Sequence, residues 1–196
     1  MSSFRVIVCL SLLSVLNIGR VSVSAKEVAK SAPDVGQKVA DFDLPIVGGD
    51  QMLKLSDQYA EGPVVVIVLR GFPGYQCPLC SRQIGALTNR IKTIAKTAKR
   101  VILVYPGPAS MLDDHATDFM GSRKLPAPIV MVRDPDMEMV NRWGLRWNAP
   151  RETAYPATYV INSDGEVAWR LISDSHGGRS TATDIIKALD KIESTN

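Results

Sequence analysis

The sequence predicts an α/β protein in which a mixed central sheet carries helices on both of its faces. Short apolar, β-branched runs alternate along the chain with segments whose apolar residues recur at helical spacing. The last two apolar runs flank a turn signal at Ser163-Asp164-Gly165, which predicts an antiparallel hairpin. Parallel strands, a terminal hairpin and a closing helix together indicate a mixed-sheet sandwich in a single domain.

The first half of the domain contains a predicted hairpin, a buried strand and a helix. Residues 40–58 alternate apolar and polar around Gly48-Gly49-Asp50, as in a short hairpin or edge strand. The run VVVIVLR at 64–70 is typical of a strand buried on both faces. From Ser81 onward, one face of a helix is predicted by the spacing of Ile84, Leu87, Ile91, Ile94 and Ala98.

The second half repeats the same alternation. We predict strands at 100–106 and 127–134, a helix at 110–124, and a short helix at 135–144 that ends at Gly144. The hairpin then occupies 157–173. A helix over 181–194 closes the chain, since its apolar residues again fall on one side.

The N-terminus reads as a secretory signal peptide. Arg5 precedes an apolar run over 6–19, and small residues follow as far as Ala25. The run is too short to cross a membrane, although an uncleaved anchor stays an alternative. We therefore predict a signal peptide at 1–25, a polar tail at 26–35 and the folded domain at 36–196. The mature protein is expected to be exported, periplasmic or secreted, with no stable membrane anchor.

Charge and cysteine content narrow the class of protein. Cleavage removes Arg5 and Arg20, which brings the formal net charge of +3 close to neutrality, and no basic cluster indicates nucleic acid. Cleavage also removes Cys9. Cys77 and Cys80 are then the only thiols of a protein exported to an oxidising compartment, so these two are expected to act as a pair.

The two cysteines stand in the stretch RGFPGYQCPLCSRQ at 70–83, between the buried strand and the helix. A thiolate is the reactive form of cysteine, and the start of a helix favours negative charge. Pro78 fits the first helical turn, where a missing N–H costs no hydrogen bond. We predict Cys77 as the nucleophile and Cys80, about one turn on, as the thiol that resolves a mixed disulfide, with no cofactor.

Two cysteines at this spacing also occur in zinc sites, haem attachment sites and structural disulfides. A zinc site needs two further ligands, and His115 and His176 are far apart in sequence, so we expect no metal. Covalent haem needs a histidine where Ser81 stands. A structural disulfide stays open, but so small a loop gains little stability from a bridge. We predict no role for His115 and a loop position for His176.

The combination of motifs resembles the thioredoxin fold, and within it the peroxiredoxin-like branch of the alkyl hydroperoxide reductase and thiol-specific antioxidant family. The resemblance covers about 36–192 and rests on GQKVADFDLP, the Cys77-Pro-Leu-Cys80 motif, RDPDMEMVNRWGL and YPATYVINSDG. It implies a thioredoxin-like three-layer sandwich. It also implies that Pro156 is cis and packs against the dicysteine as part of a substrate groove, where Tyr155 presents its backbone.

The sequence departs from true peroxiredoxins in the loop before Cys77. Their motif has a proline seven residues before the reactive cysteine and a hydroxyl residue three before it, where this chain has Arg70 and Gly74. The hydroxyl that helps to hold a peroxide is therefore missing. We consider Arg70 a candidate thiolate stabiliser, with pairing to a carboxylate as the alternative. For Arg151 and Glu152, a solvated loop is favoured over a place in the groove.

Three functions follow as hypotheses. The first is an exported thiol-disulfide oxidoreductase that uses a Cys77/Cys80 cycle in redox homeostasis, with a protein disulfide or thiol as substrate and a separate redox partner. The second is a thiol peroxidase in which a hydroperoxide oxidises Cys77 and Cys80 resolves it. The third is a non-catalytic binding module with a structural disulfide.

Overall fold

A computed structural model describes residues 32–194. The predicted signal peptide and most of the predicted tail lie outside the described residues. In chain order, the elements are β1 (Asp43–Pro45), β2 (Met52–Lys54), α1 (Leu55–Tyr59), β3 (Val64–Val68), α2 (Pro78–Ile94), β4 (Arg100–Gly107), α3 (Leu112–Met120), β5 (Ile129–Pro135), α4 (Glu138–Arg142), β6 (Ala157–Ile161), β7 (Val167–Ile172) and α5 (Ala182–Glu193).

The central sheet has five strands in the order β5-β4-β3-β6-β7, and β1 pairs with β2 in a separate hairpin. The strands β3, β4 and β5 run parallel, whereas β6 is antiparallel to both β3 and β7. Both predicted hairpins and the mixed sheet are thereby confirmed. Strand β3 lies at the centre, which is why an uninterrupted apolar run occupies it.

Each face of the sheet has its own hydrophobic core, as expected for a three-layer sandwich. All residues of β3 are buried, and they alternate between the two cores. Val65 and Ile67 pack with α2, α3 and α5, together with both cysteines. Val66 and Val68 pack on the opposite face with the Trp143 ring and with α1 and α4.

Several helix boundaries differ from the predicted ones, and α4 spans Glu138–Arg142 where a helix at 135–144 was predicted. Helix α2 begins at Pro78 with Cys77 as its N-cap residue, which confirms the prediction that Pro78 lies in the first helical turn. Helix α3 ends at Met120, and Gly121 follows it with a positive φ of 54°. Helix α1 lies within residues assigned to the first hairpin. It was missed because a single helical turn has too few residues to show a helical period.

Residues 32–35, assigned to the tail, pack against the domain. The side chain of Ala32 is 3% exposed, and the Arg170 guanidinium donates to the carbonyl oxygens of Ala32 and Pro33. Arg170 also forms an ion pair with Asp34 at 3.1 Å. The ordered contacts of the domain therefore start before residue 36. Across residues 32–194, none of the helices combines the length and the apolar character needed to cross a bilayer.

Candidate active site

The path of the chain after β3 determines where the cysteines lie. Gly71 has a φ of 68°, and a Cβ atom at this position would lie 1.8 Å from the carbonyl oxygen of Pro106. The next residue, Phe72, donates its N–H to the same oxygen at 3.1 Å. Only glycine fits so close to the end of β4. The loop to Cys77 is therefore anchored at its start against the neighbouring strand.

Cys77 occupies the N-cap position of α2, and its Sγ atom accepts the backbone N–H of Cys80 at 3.4 Å. Pro78 takes the first helical turn, as its missing N–H allows. Both cysteines are free thiols, and their exposed fractions are 3% for Cys77 and 1% for Cys80. The N-terminal end of the helix dipole thus faces a buried sulfur that already accepts one N–H.

The two thiols have opposite protonation preferences. The pKa of Cys77 is lowered to about 5, chiefly by the hydrogen bond from the Cys80 thiol, with further help from the Cys80 N–H and the charge of Arg179, while burial opposes the shift. The pKa of Cys80 is raised, because its thiol donates to Cys77 and is itself buried. The arrangement suits an attacking thiolate at Cys77 beside a protonated thiol at Cys80. These roles stay predictions.

The cation beside Cys77 is Arg179, which sequence reasoning missed. Its Nη2 atom lies 3.7 Å from Cys77 Sγ, its Nη1 donates to Gln83 Oε1 at 3.1 Å, and its Nε donates to the His176 carbonyl at 3.0 Å. The contact joins residues 102 positions apart in the chain. The stretch SHGGR carries no local signal of a thiol contact.

Arg70, the candidate thiolate stabiliser, contributes its backbone instead of its side chain. Its N–H donates to Cys80 Sγ at 3.4 Å. Its guanidinium forms a two-pronged ion pair with Glu152, with both N···O distances at 2.8 Å, and also contacts the hydroxyl of Tyr75. Leu69 points toward the thiols, so strand alternation sends the next side chain to the opposite face. The guanidinium is therefore paired with a carboxylate, as the alternative prediction had it.

The expectation of a cis peptide bond before Pro156 is wrong. Among the described residues, the cis bond lies between Ala127 and Pro128. The residues before Pro156 are extended, because Ala154 forms an antiparallel bridge with Arg146 and the Tyr155 N–H donates to the Leu145 carbonyl at 2.9 Å. The chain therefore enters β6 with the ordinary trans geometry.

The same pairing determines which groups of Tyr155 are already in use within the chain. Its N–H is already used by Leu145, and its ring stacks on Trp147 with a centroid distance of 4.6 Å and an interplanar angle of 5°. The residue is 4% exposed. The N–H of Tyr155 is therefore already used within the chain, and the place of its backbone beside a substrate stays a prediction.

A cavity of about 370 Å³ lies beside the loop that leads to Cys77. Its wall includes Pro73 and Gly74 from that loop, and Arg151 and Glu152 from the loop before β6. Arg151 and Glu152 therefore line a cavity, whereas the sequence favours a solvated loop for them. Phe72 also lines it, with the ring of His115 stacked at 3.6 Å.

The two histidines lie on different walls of the site. His115 stacks on Phe72, whereas His176 stacks on Trp147 with a centroid distance of 4.9 Å. Within residues 32–194, no group of three or more histidine, cysteine or acidic side chains comes together as a metal ion would require.

A dicysteine at the N-terminus of a helix, on a mixed sheet with helices on both faces, defines a thiol redox protein of the thioredoxin fold. Residues 35–170 match the AhpC/TSA family. The chain belongs to this family, whose members are peroxiredoxin-like oxidoreductases. No curated protein matches the sequence.

Solved structures share the fold at low sequence identity. Peroxidoxin BcpB from Mycobacterium tuberculosis is 21% identical with a TM-score of 0.66, and the match covers 82% of this chain and 98% of that one. Mycobacterium tuberculosis AhpC is 16% identical with a TM-score of 0.64, over 83% and 99% of the two chains. A yeast mitochondrial 1-Cys peroxiredoxin is 10% identical with a TM-score of 0.66, over 83% and 77%. These matches establish the thioredoxin-like fold.

Proposed function

We propose that this protein is an exported thiol-disulfide oxidoreductase in which Cys77 attacks and Cys80 resolves. The observation that carries the proposal is the contact between the two cysteines, since Cys77 Sγ accepts the Cys80 N–H at 3.4 Å and the neighbouring Cys80 lowers the pKa of Cys77. One sulfur is thereby poised as a thiolate, and the second thiol lies next to the bond it has to break. Export is inferred from the signal-peptide pattern of residues 1–25.

The reaction needs only the two thiols and a redox partner. The Cys77 thiolate attacks one sulfur of the substrate disulfide, whose S–S bond breaks and whose other sulfur leaves as a thiolate. Cys80 loses its proton to this leaving group and attacks Cys77 Sγ in the mixed disulfide. The second substrate thiol is released, and the protein is left with a Cys77–Cys80 disulfide. Two electrons have moved to the substrate, and a thiol partner restores the dithiol.

The loop before Cys77 supports a disulfide as the oxidant. Gly74 provides no hydroxyl to hold a peroxide oxygen, and open space surrounds the position where its Cβ would be. Its φ of 112° also disfavours a serine or threonine there. The binding contact that the peroxiredoxin motif places three residues before the reactive cysteine is absent from this position.

One observation favours a second candidate, a thiol peroxidase. Cys77 is only 3% exposed, and a small hydroperoxide reaches so buried a sulfur more easily than a disulfide in a folded protein does. In this reaction the Cys77 thiolate attacks the terminal oxygen of the hydroperoxide, the O–O bond breaks, and Cys77 becomes a sulfenic acid, while the leaving alkoxide takes a proton from solvent and departs as an alcohol. Cys80 then condenses with the sulfenic acid, which releases water and forms the same disulfide.

Rapid mixing of the reduced protein with each oxidant distinguishes the two. We expect oxidised glutathione to oxidise the protein, Cys77→Ser to abolish the reaction, and Cys80→Ser to stop at a mixed disulfide visible as a mass increase. Ser81→Ala, in the same helical turn, is the matched control and should react like the parent. A Cys77→Ser variant as active as the parent would refute the proposal.

Hydrogen peroxide and cumene hydroperoxide are the comparison oxidants. Oxidation by a hydroperoxide at least about 100 times faster than by the disulfide would transfer the assignment to the peroxidase. Export is tested separately, by N-terminal sequencing of the protein recovered from an exporting host. A chain that still starts at Met1 would contradict cleavage near Ala25.

A further inference from the structure

The loop between β7 and α5 brings Arg179 to Cys77. Its central residues are His176, Gly177 and Gly178, followed by Arg179. Both glycines are exposed, and neither has a side chain that could fix the loop. The loop is held partly by its own hydrogen bonds, such as that from the Arg179 N–H to the Gly177 carbonyl at 2.9 Å, and partly by side chains that reach outside it.

The side chain of His176 is fixed on two sides. Its Nε2 atom lies 3.3 Å from Glu152 Oε1, and its ring stacks on Trp147. Glu152 is itself held by its two-pronged pair with Arg70, which is almost fully buried, with side-chain exposures of 11% for Glu152 and 4% for Arg70. Trp147 is held in turn by the stacked ring of Tyr155. The imidazole is thus attached to a rigid part of the molecule.

The backbone of the same residue orients the arginine. The His176 carbonyl accepts from Arg179 Nε, and the Gln83 side chain accepts from Nη1, so two edges of the planar guanidinium are fixed. The remaining Nη2 is then directed to Cys77 Sγ. Gln83 is buried on α2, the helix that Cys77 caps.

We propose that His176 is a positioning residue for the Cys77 thiolate: its side chain anchors the loop to Glu152, and its carbonyl aims Arg179 at the sulfur. This rests on the proposed function only in taking Cys77 as the reacting thiolate. The proposed role of His176 is the same whether the substrate is a disulfide or a hydroperoxide. Arg179 touches the reacting atom, whereas His176 acts through it.

The two ring nitrogens of His176 have different surroundings. Its Nδ1 atom is buried without a hydrogen-bond partner in the described part of the chain, whereas its Nε2 atom faces the Glu152 carboxylate at 3.3 Å. The contact with Glu152 is therefore made through Nε2. Glutamine also places an N–H donor at the end of its side chain, which makes His176→Gln the matched conservative replacement.

The test is a titration of the reduced full-length protein, followed by thiolate absorbance at 240 nm, in the absence of any substrate. We expect His176→Ala and Arg179→Ala each to raise the Cys77 midpoint by about one pH unit, since a nearby cation at this distance has an effect of that order. His176→Gln should stay close to the parent. Ser175→Ala, at an exposed position of the same loop, should match the parent as well.

The double variant decides whether His176 acts through Arg179. In the Arg179→Ala background, adding His176→Ala should produce no further shift. The proposal is overturned if His176→Ala titrates like the parent, if His176→Gln shifts as much as His176→Ala, or if the two shifts add in the double variant. Because no substrate is present, these results are independent of which oxidant the protein uses.

Discussion

Arg179 Nη2 lies 3.7 Å from Cys77 Sγ, on a sulfur that also accepts the Cys80 N–H at 3.4 Å. A guanidinium, a backbone donor and a neighbouring thiol thus converge on one atom. They come from two segments, the start of α2 and the loop before α5. Together they favour negative charge on a sulfur that burial alone would keep neutral.

We expect the thiolate of the reduced protein to appear at unusually low pH. The pKa of Cys77 is lowered, so the thiolate fraction should rise with pH through a midpoint near 5, and the rate of disulfide reduction should fall below it. Absorbance at 240 nm measures this directly. Cys77→Ser is the control and should show no thiolate below about pH 8, because burial keeps the pKa of Cys80 raised. A parent midpoint near 8.5 would contradict the prediction.

The ion pair of Arg70 and Glu152 should matter for stability. Arg70→Leu removes the guanidinium from Glu152, whose side chain is 11% exposed, and leaves His176 as its charged or polar neighbour, so we expect a loss of about 3 kcal/mol in the free energy of unfolding. Lys99→Ala breaks the exposed pair with Glu61 and should lower the free energy of unfolding far less, because solvent screens that pair. Urea denaturation measures both. Equal losses in the two variants would show that burial of the pair is unimportant.

Two glycine-to-alanine replacements should have opposite effects on unfolding. Gly71→Ala places a Cβ against the Pro106 carbonyl at a φ of 68°, and we expect a loss of at least about 2 kcal/mol. Gly85→Ala lies within α2 with nothing near the new methyl group, and should stabilise by about 0.5–1 kcal/mol. Thermal unfolding of both variants is the measurement. A neutral Gly71→Ala would mean that the loop after β3 is not anchored there.

The capping box at the start of α5 should contribute a pH-dependent stability. Thr181 Oγ1 accepts the Asp184 N–H at 3.2 Å, and the Thr181 N–H and hydroxyl donate to the Asp184 carboxylate. Thr181→Ala should cost about 1 kcal/mol at neutral pH. These bonds lower the pKa of Asp184, so their contribution is present above its unfolded pKa and is lost as the pH falls through the lower folded value.

The matched control for the cap is Thr183→Ala, which removes an exposed hydroxyl one residue into the same helix. It should be neutral or slightly stabilising, because alanine is the better helix former. Denaturant unfolding at neutral pH and below pH 3 compares the two variants. A deficit of Thr181→Ala that grows on acidification would contradict the assigned sign.

Local sequence patterns predicted most of the fold. The β-branched run of β3 and the apolar spacing of α2 and α5 each reflect burial within one element, so they are visible in a short window of sequence. The end of α3 was predicted too late in the sequence, and the single turn of α1 was not predicted. Both are set by tertiary packing and turn geometry.

Only the part of the candidate site formed by residues close together in the sequence was predictable. Cys77, Pro78 and Cys80 lie within one helical turn, and their geometry follows from the start of α2. Arg179 reaches the thiolate across 102 residues, which spacing does not reveal. The cis geometry expected at Pro156 came from the family resemblance. The observed backbone there is set by pairing of the preceding residues with Leu145 and Arg146.

The stacking of Trp147 between two rings gives the protein a built-in optical reporter. Tyr155 lies 4.6 Å away on one side and His176 lies 4.9 Å away on the other. Indole emission responds to such ring contacts, and His176 belongs to the loop that carries Arg179. Formation of the Cys77–Cys80 disulfide removes the thiolate charge from Arg179, so the fluorescence of Trp147 would follow the redox state of the protein without any added label.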